Sequence, residues 1–163
     1  MDRSPSATLP QPPVDGRQSE RALAIARGTT RLMAALDFAV VAELPLPSGR
    51  RADLVALNPA GTLWIIEVKS SIDDFRTDRK WGDYRAHADR VLFAVAPDFP
   101  TAILPDEAGL ILADAHGAEL LRDGIATPLA AATRKAMLLR FARAAAGRLT
   151  LLHDPLARGN WDL

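Results

Sequence analysis

The chain has 163 residues, 48% hydrophobic and 25% charged, with 20 Lys and Arg balanced by 20 Asp and Glu, a composition that fits one domain around a single apolar core. The lack of cysteine excludes disulfides and Cys-ligated zinc or iron–sulfur centres, so a disulfide-stapled secreted scaffold is ruled out and a cytoplasmic location is expected. Zero net charge hides an uneven distribution, because Arg134, Lys135, Arg140, Arg143 and Arg148 follow one another with no acid between them.

Residues 1–18 contain Pro5, Pro10, Pro12 and Pro13 among polar residues and read as a disordered tail, leaving 19–163 as the domain. Charges interrupt every apolar run before it reaches the roughly 20 residues of a membrane span. From Arg17 to Leu36 the spacing of Leu23, Ala26, Leu32, Met33 and Leu36 predicts a helix, with Ser19 as N-cap and a weak point at Gly28. Phe38–Leu44, Arg51–Leu57 and Thr62–Lys69 read as three short strands. A helix over Ile72–His87 follows, with Ser70 and Ser71 at its start and Asp73 and Asp74 in its first turn. Val91–Ala96 is a continuously apolar strand, expected at the centre of the sheet and parallel to the third strand through the crossover helix. Leu110–Ala113 and Ala118–Leu121 form a late hairpin around Asp114-Ala115-His116-Gly117, and an Ala-rich helix over Leu129–Leu151 closes the chain.

The first two hairpin loops have the same form, Pro47-Ser48-Gly49 and Pro59-Ala60-Gly61, which suits a type I turn followed by a left-handed glycine. Such loops fix register. With Leu46 flanking Arg50, Glu43 falls opposite Asp53; with Asn58 flanking Thr62, Asp53 falls opposite Glu67. A row of three carboxylates results, with Lys69 on the same face two residues beyond Glu67. Opposed Cβ atoms in an antiparallel pair lie roughly 5 Å apart, so Asp53 and Glu67 can share one hard cation, Mg²⁺ or Mn²⁺, with the Val68 carbonyl as a further ligand. Lys69 can then orient or help deprotonate an attacking water.

An acid, a gap, then Glu67-Val68-Lys69 at the end of an apolar strand resembles the signature of the PD-(D/E)XK nuclease superfamily. The flanking runs are more specific: Gly49-Arg50-Arg51-Ala52-Asp53-Leu54-Val55-Ala56-Leu57, Ile66-Glu67-Val68-Lys69-Ser70-Ser71, and Asp74-Phe75-Arg76-Thr77-Asp78-Arg79-Lys80-Trp81. With Asp89-Arg90-Val91-Leu92-Phe93-Ala94-Val95 and the basic helix at Arg134-Lys135, they resemble the MmcB-like DNA repair family over everything but the tail. The resemblance implies an α/β fold with a restriction-endonuclease-like core, a mixed sheet flanked by helices in the order α-β-β-β-α-β, then the hairpin and final helix. It also implies a DNA repair role, with the superfamily's metal-binding acid at Asp53, its second acid at Glu67 and its lysine at Lys69. An upstream acid often completes the site; Glu43 is preferred over Glu20 because the turn register sets it beside Asp53.

Asp53, Glu67 and Lys69 also fit an ion pair within a sheet, although one lysine does not balance three acids. Arg50, Arg76, Arg79, Lys80 and Tyr84 are the candidate DNA contacts, against the plainer reading of Arg76, Arg79 and Lys80 as a solvated helix face paired with Asp73, Asp74, Asp78 and Asp83. Trp81 reads as core. His87, His116 and His153 have no paired spacing for a zinc site, and neither a P-loop nor a Gly-x-Ser-x-Gly elbow is present. The leading expectation is a metal-dependent DNA endonuclease. A DNA-binding or repair-partner module without catalysis is the alternative, with the basic final helix on phosphates, and self-association as a homodimer through that helix is a third reading.

Overall fold

The structure is a computed structural model that describes residues 19–78 and 80–161. The Pro-rich tail read over 1–18 and the candidate contact Arg79 lie outside the described residues. Helix α1 (Glu20–Ala35) opens with the cap expected from sequence, the Ser19 hydroxyl accepting the Ala22 N–H at 3.1 Å. Gly28 is not a weak point. A Cβ there would lie 2.4 Å from the carbonyl oxygen of Asp114 and 2.7 Å from that of Gly117, so glycine lets α1 pack directly on a loop backbone.

Strands β1 (Ala39–Pro45), β2 (Arg51–Leu57) and β3 (Leu63–Lys69) form an antiparallel meander. Both loops have the expected geometry. Leu46 N–H bonds Arg50 O and Gly49 N–H bonds Leu46 O in the first, and Asn58 with Thr62 and Gly61 repeats the pair in the second. Gly49 and Gly61 have φ of +82° and +81°, a conformation in which a side chain would be strained.

The single helix expected over 72–87 is broken into α2 (Ile72–Thr77) and α3 (Trp81–Tyr84). The break falls at Asp78, whose carboxylate accepts the Lys80 N–H at 3.0 Å and competes with helical hydrogen bonding. β4 (Arg90–Val95) then pairs parallel to β3 and is buried along most of its length, as its continuous apolar run requires. β5 (Gly109–Ala113) adds in parallel, and β6 (Ala118–Arg122) returns antiparallel, giving a six-stranded mixed sheet in the order β1-β2-β3-β4-β5-β6.

The α/β fold is therefore the one expected, with helices on both faces. Ile25 and Met33 of α1 pack with Leu54, Ile66, Leu92 and Ile111 on one side. On the other, Met137, Phe141 and Ala144 of α4 (Ala131–His153) meet Val41, Leu63, Ile65 and Tyr84. Phe75 and Trp81 pack against Phe93, so Trp81 is core as read. Asp89 anchors α4: it accepts N–H groups of Leu63 and Leu129 and takes the Arg134 guanidinium in a two-pronged pair, both bonds 2.7 Å. Arg140 reaches Pro45 O, Arg143 reaches Asn160 O, and Arg148 bonds the carbonyls of Ala42 and Glu43. Four of the five cations read as a phosphate-binding helix surface thus hold the helix to its own domain. Among the described residues no helix is long and apolar enough to cross a membrane.

Candidate metal and nucleic-acid site

The ladder between β2 and β3 is regular from Leu57↔Leu63 to Leu54↔Ile66. Beyond that pair the side chains take over from the backbone. Val68 N–H donates to Asp53 Oδ2 at 2.8 Å, and Asp53 N–H donates to Glu67 Oε1 at 3.2 Å. The two carboxylates therefore meet at the end of the ladder, in the register that the Pro-x-Gly loops set. Glu67 is only 3% exposed and Lys69 5%.

Burial raises the Glu67 carboxyl, and the neighbouring Asp53 charge raises it further, to about 8. Burial likewise raises Asp53, outweighing the Val68 N–H and the Lys69 charge that favour its ionised form. Burial first, and then the repulsion of two adjacent charges, favour keeping a proton on Glu67. Lys69 is not between them. Its Nζ bonds Asp78 at 2.6 Å, with Asp74 at 4.0 Å. Burial alone would lower the Lys69 ammonium, but the bond to Asp78 and the surrounding acids carry it above its usual value. Burial alone would raise the Asp78 carboxyl, but the bond and charge of Lys69 together with the N–H and charge of Lys80 hold it below the usual carboxylate range. Asp78 is the residue that sequence reading missed as part of the site. Its pattern pairs as easily with helix cations, and only the break between α2 and α3 turns it inward.

Glu43 lies opposite Asp53 as expected, between the pairs Ala42↔Leu54 and Leu44↔Ala52. Its φ of +49° kinks the strand, so Val41 and Leu44 enter the same core and strict alternation fails. The Glu43 carboxylate sits 3.4 Å from Arg51 and, though close enough to push Asp53 upward, does not complete a three-carboxylate cage. Among the described residues no group of three or more Asp, Glu or His side chains is gathered as a metal cage. Glu20 stands at the exposed start of α1, the helix on the other sheet face.

Tyr84 is buried beside the acids. Burial raises its phenol, and the charges of Glu67, Asp78 and Asp53 add to the effect; its hydroxyl lies 3.4 Å from Arg51 O. Arg50 bonds Asp83 at 2.6 Å, Lys80 is exposed beside Asp78, and Arg76 is exposed in the last turn of α2. The site is thus a buried acidic cluster at the strand ends, with Asp53 and Glu67 side by side and Lys69 held by Asp78. Asp53 and Glu67 fit a hard cation by their chemistry: two adjacent oxygen donors keep a proton that a divalent ion would displace.

Comparison with known proteins agrees with this architecture. A solved structure of SPO1766, a protein of unknown function from Silicibacter pomeroyi, is 41% identical and superposes with a TM-score of 0.81, covering 87% of this chain and 97% of that one. Comparison with curated proteins gives no match. The family model described as DNA repair protein MmcB-like matches residues 9–156, nearly the whole sequence and all three residues of the site. The chain belongs to the MmcB-like family of DNA repair proteins.

Proposed function

We propose that the protein is a divalent-metal-dependent endonuclease that hydrolyses DNA phosphodiester bonds during repair, in the manner of PD-(D/E)XK nucleases. The observation that carries this reading is the meeting of Asp53 and Glu67 at the end of the β2–β3 ladder, where burial raises both carboxyls and the Asp53 charge raises Glu67 further, with a buried lysine two residues on. Asp53 and Glu67 would hold Mg²⁺ or Mn²⁺. When bound, such an ion lowers the pKa of water and offsets charge building on the phosphate.

This chain's own residues supply the rest. Lys69 presents a fixed ammonium that Asp78 keeps charged and oriented, so it can stabilise negative charge on the phosphate oxygens. Phe93, which pairs with Glu67 across β3 and β4, and Tyr84 are buried, and such apolar surroundings strengthen that interaction. Arg50 and the exposed Lys80 and Arg76, with Arg79 next to Lys80 in sequence, are the residues assigned to the DNA backbone, while Tyr84, buried beside the acids, could reach only a phosphate already in the site.

A nicking assay on supercoiled plasmid and structured DNA with Mg²⁺ or Mn²⁺ tests the reading. The wild type is expected to nick, and Asp53→Ala and Lys69→Ala to lose at least a hundred-fold in rate. Nicking that persists in both variants overturns the assignment.

A second reading is favoured by one specific observation. The carboxylates already accept backbone N–H groups and Lys69 is already paired with Asp78, so the pocket is also satisfied as a structural element. On that reading the protein binds DNA without cutting it. Salt-sensitive DNA binding by a chain that takes up neither ion distinguishes it.

A further inference from the structure

Helix α4 turns one face into the core and leaves the other uncovered among the described residues. Leu139 and Leu149 are each 55% exposed and Leu152 is 54% exposed, on a helix of 23 residues. Along the outward line Lys135, Leu139, Ala142, Ala146, Leu149 and His153 recur at alternating spacings of four and three, the pattern by which one helix seats against another. Buried Met137, Phe141, Ala144 and Gly147 occupy the opposite side, so this line is no part of the domain's own core. A lone surface leucine needs no explanation, but a continuous row does.

The order of residues says what covers it. Read from either end, the row gives Leu, Ala, Ala, Leu about a centre near Ala144. Two such helices laid antiparallel bring Leu139 of one copy onto Leu149 of the other and Ala142 onto Ala146, with the small residues allowing a close approach. A groove of about 570 Å³ runs beside the first half of the helix, lined by Leu129, Leu138, Leu139 and Ala142 together with the cations Arg134 and Lys135. The same arrangement places Leu149 and Leu152 of the second copy over that groove, twice by symmetry. The charges also match: exposed Lys135 comes beside exposed Asp154 of the second copy and beside the C-terminal end of its helix, where a cation is favoured.

We infer that the face of α4 along Leu139, Ala142, Ala146 and Leu149 is a self-complementary dimer interface that takes the α4 of a second copy in antiparallel orientation. One helix roughly 34 Å long offers less than the ~800 Å² per partner of a standard interface, so the pairing is weak and concentration-dependent. It is independent of whether the carboxylate site cuts DNA.

Sedimentation velocity of the full chain over a micromolar to high-micromolar series tests it. The wild type is expected to pass from one chain to two. Leu139→Glu, a change at an exposed position, is expected to weaken association at least ten-fold with thermal stability unchanged. Lys135→Asp and Asp154→Lys should each weaken it several-fold, and the two together should restore it, a rescue that misfolding does not give. A strict monomer, a dimer indifferent to Leu139→Glu, or charge swaps that do not rescue each other overturn the inference. So does a monomer that pairs only after removal of residues 1–18, or one in which Lys135→Asp lowers DNA binding instead, since either assigns the face to another occupant.

Discussion

Glu67 carries an electrostatic cost that the fold does not remove. Its carboxyl titrates near 4.5 in an unfolded chain and at about 8 in the folded one. Between those values the folded state binds the extra proton, so the stability associated with Glu67 is fully present below 4.5 and is lost as pH rises towards 8. In buffer with EDTA, urea-unfolding free energy is expected to fall across that window by at most about 1.4 kcal/mol per pH unit, and Glu67→Gln is expected to flatten the decline. A slope unchanged in Glu67→Gln would place the cost on other groups. The identities of Asp53, Glu67 and Lys69, and their meeting, were legible in sequence because two short loops dictate register. The Lys69–Asp78 bond was not, since it depends on a helix break that arises from one aspartate choosing a backbone N–H over the helix.

At the level of elements, local chemistry fixed more than composition did. The Pro-x-Gly loops, the Ser19 cap and the late hairpin around Asp114 all form as their residues require. Reading failed where tertiary contacts outweigh local preference. Gly28 costs about 1 kcal/mol against alanine in an isolated helix, which is why it read as weak. Two loop carbonyls nevertheless occupy the space a methyl group would need. Gly28→Ala is therefore expected to destabilise the protein by about 1–3 kcal/mol despite the gain in helix propensity, seen as a lower melting temperature. A melting temperature that rises would mean that α1 can lift from the β5–β6 loop at little cost. The cations of α4 give the same lesson. A run of basic residues without acids looks like a phosphate surface, yet Arg134 closes on Asp89, and Arg140 and Arg148 reach carbonyls of β1.

For the whole molecule, sequence made the order of elements and the α/β class readable because an antiparallel meander is built from local hairpins, whereas a fully apolar β4 can only be central. The Glu43 kink was outside its reach: alternation predicts a straight row of three acids, and a left-handed backbone at one non-glycine residue turns the first acid to Arg51. The result is a buried pair of carboxylates at the end of a sheet whose opposite faces are covered by α1 and α4. On the proposed function, its central property is a demand for a divalent cation. Calorimetric titration of Mn²⁺ or Mg²⁺ into the full chain near neutral pH, run in buffers of different ionisation enthalpy, measures that demand. One ion per chain is expected, taken up with release of a proton, and weakened about ten-fold or more in Asp53→Ala and in Glu67→Gln. A wild-type chain that takes up no ion, or variants that bind as the wild type does, would contradict the account.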